Sequence, residues 1–148
     1  MSVFDIFKQL KIFRGVRTEE LFDLIPRISL DFETFNEGEI IFEKDSTVGG
    51  LSFILSGKVE IFDQMYSAEL HVNDVLSFTG LFSENASYQY DAKAIEDCRL
   101  LTIDRKSLVY LFKTNELILQ NYLSLLDELA VSTERKAIIR VAQINKTI

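Results

Sequence analysis

The chain has 148 residues, 47% hydrophobic and 26% charged, enough for one domain with a real core and ordinary for a soluble protein. Its net charge of −7 and sequence pI near 4.8 oppose association with a phosphate backbone. No run approaches the roughly 18 uninterrupted apolar residues of a membrane span, and the lone cysteine, Cys98, excludes an internal disulfide and suits a reducing cytoplasm.

The N-terminus, MSVFDIFKQLKIF, carries an early acid and no small-residue cleavage site, so it is not expected to be a signal peptide. Residues 2–29 are predicted helical, because Phe4, Phe7 and Leu10, then Leu21, Leu24, Ile25 and Ile28, recur at three-to-four spacing. Thr18 followed by Glu20 reads as a helix start, with the hydroxyl taking up free amides and the acid facing the positive end. Pro26, the only proline, falls inside the second pattern and weakens its end.

From Leu30 to Asp104 the period becomes two, in short runs separated by Gly, Asn, Asp and Ser. Predicted strands are Leu30–Phe35, Ile40–Glu43, Ser52–Ser56, Lys58–Asp63, Ala68–Val72, Tyr88–Ala94 and Leu100–Asp104. Many short strands at this spacing argue for a β-sandwich or roll. Gly38 and Gly57 sit where turns need a positive φ.

The helical period returns from Ser107 to about Gln143. Leu108, Leu111 and Phe112 mark a short helix, and a long one follows from about Glu116. The long helix carries two adjoining apolar lines, one of Ile118, Tyr122, Leu125 and Leu129, the other of Leu119, Leu123, Leu126, Ala130, Thr133 and Ala137. One line covers the roll; the other calls for a second helix, most simply the same helix of a second copy across a two-fold axis. The alternative is one broad buried face in a monomer. Arg135, Lys136, Arg140 and Lys146 are the only charges in the last fourteen positions, either a solvated helix end or the lead-in to a DNA-binding part. No internal repeat, low-complexity segment or linker interrupts the chain, so residues 1–148 read as one domain: N-terminal helices (1–29), a β-roll (30–106), and hinge and dimerisation helices (107–148).

The stretch FNEGEIIFEKDSTVGGLSFILSGKVEIF, residues 35–62, orders strand, turn, acidic loop with paired glycines, strand, Ser-Gly turn and strand. It resembles the opening of the cyclic-nucleotide-binding roll of the Crp/Fnr (catabolite activator) transcription regulators. The similarity runs from about Ile12 to Lys136 and includes IFRGVRTEELFDLI as an entry helix, HVNDVLSFTGLF at the phosphate-binding cassette, with Asn73-Asp74 in place of Gly-Asp, and CRLLTIDR at the last strand. The fold implied is α+β and mainly β: a double-stranded β-helix, or jelly roll, flanked by N-terminal helices and a long C-terminal dimerisation helix.

The resemblance also implies where a cyclic nucleotide would sit and how this chain departs from the pattern. The family's Gly-Glu pair, whose glutamate accepts from the ribose 2′-hydroxyl, falls on Ser77-Phe78. The phosphate-pairing arginine falls on Tyr88, and its Ser/Thr neighbour on Gln89. Gly80-Leu81-Phe82 keeps the cassette's packing residues, and Thr133 falls where the family's adenine-contacting threonine sits. Losing the ribose acceptor costs about 1–3 kcal/mol, and losing the charged phosphate contact about 2–5 kcal/mol, several orders of magnitude in affinity together. Lys93 is expected on the face opposite Tyr88. Ser77, Phe78, Thr79, Gly80, Tyr66, Tyr88 and Tyr90 would then line an apolar, aromatic cavity suited to an uncharged or weakly polar ligand, or fill it as a ligandless core.

Metal chemistry is not indicated, since His71 is the single histidine and reads as a surface residue. Cys98 lacks a basic neighbourhood and reads as a small buried residue. No nucleophile–base–acid set or paired catalytic carboxylates appear, so an enzyme is not expected. The expected function is a regulatory ligand-sensing domain that answers to a small-molecule effector, a cyclic nucleotide or another, and homodimerises through its C-terminal helix. The alternative is a ligandless dimerisation or protein-interaction module on the same fold. Twelve residues follow Lys136, too few for a helix-turn-helix domain.

Overall fold

Residues 2–76 and 81–129 are described by the computed structural model of the chain. Eight strands form two four-stranded antiparallel sheets. One runs in the order β1 (Leu30–Phe35), β8 (Cys98–Asp104), β3 (Gly50–Ser56), β6 (Val75–Leu76); the other runs β2 (Ile40–Phe42), β7 (Asp91–Ala94), β4 (Val59–Phe62), β5 (Ser67–Leu70). This is the jelly roll that the resemblance implies, and one of the two architectures, sandwich or roll, that the alternating pattern allows. Gly38 and Gly57 take φ of +90° and +87°, as their turns require. A side chain at Gly57 would also run into Asp97 and Cys98.

Leu30–Phe35 has its expected bounds, five strands shift by one or two residues at an end, and two differ more. Val75–Leu76 pairs with β3, although two residues are too few to show a period. β7 begins at Asp91, not Tyr88, because Tyr88 is held elsewhere: its N–H donates to Ser46 O at 2.9 Å and its carbonyl accepts from Asp45 N at 2.9 Å. Asn73 takes φ +74° in the turn before β6, a left-handed conformation that asparagine tolerates.

The N-terminal helical region is four short pieces: α1 (Val3–Gln9), a 3-10 turn (Lys11–Phe13), α2 (Thr18–Leu24) and a second 3-10 turn (Ile25–Arg27). The breaks have local causes. Gly15 stands at φ +81°, and Pro26 lies inside the second 3-10 turn. The Thr18 cap is corrected: Thr18 is the first helical residue, the cap position is Arg17, and no side chain caps it. A full capping box does occur at α1, between Ser2 and Asp5.

Helix α3 (Arg105–Thr114) starts on the Asp104 carboxylate, which accepts from Ser107 N at 2.8 Å. Residues 116–129 form the described part of α4. Asn115 makes the joint: Oδ1 accepts from Ile118 N at 3.1 Å, and Nδ2 donates to Glu20 Oε2 at 2.7 Å. Asn121 Nδ2 donates to the carbonyls of Ile12 and Arg14 at 3.0 and 2.9 Å, tying α4 to the N-terminal turn. Among the described residues no helix is long and apolar enough to cross a membrane.

Two apolar clusters lie on opposite sides of the β1-β8-β3-β6 sheet. Leu51, Phe53, Leu101 and Ile103 face the helices and join Phe7, Phe13, Leu108 and Ile118. Ile54, Cys98 and Leu100 face the roll interior and meet Val59, Ala92 and Ala94 of the other sheet. Of the α4 line expected to cover the roll, Ile118, Tyr122 and Leu125 are buried in the domain, whereas Leu129 is 38% exposed. On the other line Leu126 still packs partly against the helix-side cluster, whereas Leu123 is 53% exposed.

Candidate functional site

A cavity of about 420 Å³ opens between the inner face of β1, β3 and β8 and Ile41 and Phe42 of β2, with Tyr88 on its wall. Its size falls within the range of small-molecule pockets, about 300–1,000 Å³. The inner apolar cluster continues into it through Phe35, Phe42 and Leu100.

The polar lining follows from strand register. Asp31, Thr102 and Ser52 are direct neighbours across β1, β8 and β3, and side chains alternate faces along a strand, so all three look into the roll. Glu33, two residues beyond Asp31, shares that face. Ser52 is 8% exposed, and its hydroxyl lies 2.7 Å from that of Thr102, which satisfies both. Asp31 and Glu33 stand at the exposed mouth. A hydrogen bond with Asp31 raises the Glu33 carboxyl above its ordinary range, and burial and the Asp31 charge add to the shift.

Tyr88 stacks flat on Phe42, with ring centroids 3.7 Å apart and planes 5° apart, while Tyr90 lies 5.6 Å from Phe42 at 46°. Gln89 is exposed, and its Nε2 donates to Ser87 O at 3.2 Å. Tyr66 sits in the β4–β5 turn, 54% exposed. Lys93 points away from the interior, since Ala92 and Ala94 are the buried residues of β7. Ser77, Phe78, Thr79, Gly80 and Thr133 lie outside the described residues. Of the expected pocket residues that are described, Tyr88 lines the cavity.

The acids and hydroxyls were not among the expected site residues. Their signal in the sequence is faint: Asp31 and Glu33 alternate in LDFETF, and one hydroxyl interrupts each of the apolar runs GLSFIL and LLTID. Only pairing shows that these interruptions meet. His71 is exposed and lies 3.6 Å from Glu69 Oε1. Cys98 is buried, and desolvation followed by the neighbouring acids pushes its thiol up, away from reactivity. No group of three or more His, Cys, Asp or Glu that could hold a metal occurs among the described residues.

The chain just beyond residues 77–80 connects to the helices. Leu81 is fully buried in the helix-side cluster. Phe82 packs on Phe112 of α3 and Tyr122 of α4, with centroids 5.9 and 5.8 Å away, and these two rings lie 5.0 Å from each other.

Residues 32–115 match the family model described as the cyclic nucleotide-binding domain. The fold is similar to that of the Thermus thermophilus catabolite activator protein, with a TM-score of 0.75 and 21% identity over 87% of this chain; the chain spans 62% of the length of that protein. It is similar to the sensor domain of the transcriptional regulator DNR from Pseudomonas aeruginosa, with a TM-score of 0.71 and 16% identity, covering 84% of this chain and 91% of that one. The N-terminal domain of a transcriptional regulator from Streptomyces coelicolor gives a TM-score of 0.68 and 15% identity, covering 90% of this chain and 95% of the other. No curated protein matches the chain.

Proposed function

Because the chain belongs to the cyclic nucleotide-binding domain family, we propose that it is the ligand-sensing domain of a Crp/Fnr-type regulator whose pocket does not take cyclic nucleotides in the family's usual way. The observation that carries this reading is Tyr88. It occupies the position that the resemblance gives to the phosphate-binding arginine, and its ring lies flat on Phe42. A phenol committed to an aromatic stack supplies no positive charge to a phosphate. Phe78, at the ribose-binding position, supplies no hydrogen-bond acceptor either.

Occupancy would be relayed by the aromatic contact of Phe82 with Phe112 and Tyr122. A shift of the segment before Phe82 bears directly on α3 and α4, and Asn115 is the joint between them. The homodimer would form through the second apolar line of α4, whose Leu123 is 53% exposed in the single chain. Leu123→Asp should give a monomer by sedimentation with its melting temperature retained; an unchanged dimer would put the seam elsewhere. DNA would be reached through a further domain or a partner.

Calorimetric titration with cyclic AMP and cyclic GMP tests the reading. No heat is expected at millimolar ligand, and Phe78→Glu with Tyr88→Arg should introduce measurable affinity. Micromolar binding by the unaltered chain would overturn it.

A further inference from the structure

The cavity's charge selects a class of ligand. Its described lining brings three carboxyl groups, Asp31, Glu33 and Asp104, together with the Ser52 and Thr102 hydroxyls and an aromatic wall of Phe42 and Tyr88. Among the described residues, the lining includes no lysine, arginine or histidine. An anion entering this space would meet like charge at its mouth with nothing opposite to offset it. A neutral apolar molecule would leave the acids and hydroxyls facing apolar surface. A cation on an apolar body meets both halves of the lining: the acids at the mouth and the rings behind them.

We propose that this cavity binds a small organic cation, a protonated amine on a flat apolar body, with its ammonium at Asp31 and Glu33 and its body against Phe42 and Tyr88. The proposal rests on reading the roll as a ligand sensor and names the chemistry of what it senses. The three acids are not equivalent. Asp104 already accepts from Ser107 N at the start of α3, whereas Asp31 and Glu33 are exposed on β1, and a hydrogen bond with Asp31 raises the Glu33 carboxyl. An ammonium beside Glu33 favours its ionised carboxylate, so a proton held there passes to solvent while the amine keeps its own. Among the described residues, Asp31, Asp104 and Tyr88 are the titratable groups that line the cavity with Glu33. Affinity should therefore rise as pH rises through the Glu33 titration, with proton release on binding.

Three probes of one shape separate the possibilities: phenethylamine, 2-phenylethanol and phenylacetate, each titrated into the isotope-labelled full chain and followed by amide shifts. Phenethylamine should bind saturably, shift the amides around Asp31, Glu33 and Tyr88, and bind at least about tenfold more tightly than the other two, as a charge-assisted contact requires. Asp31→Asn with Glu33→Gln should remove that preference while preserving the fold, since both side chains are exposed and the changes are isosteric. Preference for phenylacetate, equal binding of all three, or undiminished amine binding by the double variant would overturn the cation assignment while leaving a ligand-binding roll. No saturable shift from phenethylamine in the folded chain would overturn it as well. The ligand-sensing reading stands apart from that result and is judged by the cyclic-nucleotide titration and by molecules that co-purify with the chain.

Discussion

The two faces of the β1-β8-β3-β6 sheet are built from the same strands and do different things. On the helix side Leu51, Phe53, Leu101 and Ile103 are fully buried against α1, α3 and α4. On the roll side the lining runs from the apolar Ile54 and Leu100 to the hydroxyl row of Ser52 and Thr102 and the acids of β1. Strand alternation sends neighbouring residues to opposite faces, so one strand can contribute to a dry core and to a polar cavity at once. The contrast separates the two faces by their lining: the helix side is apolar throughout, and the roll side carries polar groups beside its apolar residues.

Substitutions on the two faces should therefore differ in cost. Phe53→Ala, on the helix side, should destabilise the chain by about 3–5 kcal/mol in denaturant unfolding, through lost burial and the cavity left behind. A loss below about 1 kcal/mol would mean that this face is not the main core. Thr102→Val, one row away on the roll side, removes the partner of the Ser52 hydroxyl and should cost only about 1 kcal/mol. A cost equal to that of Phe53→Ala would erase the distinction between the faces.

The smallest effect concerns pH. The Glu33 carboxyl is raised, first by its hydrogen bond with Asp31 and then by burial, so the folded chain holds this proton more tightly than the unfolded chain does. Its contribution to stability is fully present below the unfolded pKa of about 4.3 and is lost as pH rises through the folded value. Glu33→Gln, which mimics the protonated form, should flatten this part of the melting-temperature profile above about pH 4. An identical profile in the variant would show that the two acids titrate independently.

Much of the fold was readable before any coordinates. Leu30–Phe35 was predicted to the residue, and Gly38 and Gly57 adopt the positive φ that their turns call for. The long apolar pattern after Glu116 is helical over residues 116–129. These features are encoded locally, in a two-residue period, a turn residue or a three-to-four spacing. Local encoding was weaker where contacts from elsewhere prevailed. Tyr88 is drawn out of β7 by its bonds to the 45–46 loop, and Val75–Leu76 is a strand only because β3 lies beside it.

The candidate site divides in the same way. The sequence alone determined the roll, because strand period, turn residues and spacing survive without coordinates; the register that sets Ser77-Phe78 and Tyr88 at the family's glutamate and arginine positions is what the resemblance implies. Tertiary structure alone decided that Asp31, Thr102 and Ser52 form one row, that Tyr88 lies flat on Phe42, and that Leu126 is partly committed to the core while Leu123 is not. Those are long-range facts: residues 31, 52 and 102 become neighbours only when three strands pair, and nothing in the local sequence of any one strand specifies which residue will stand opposite it.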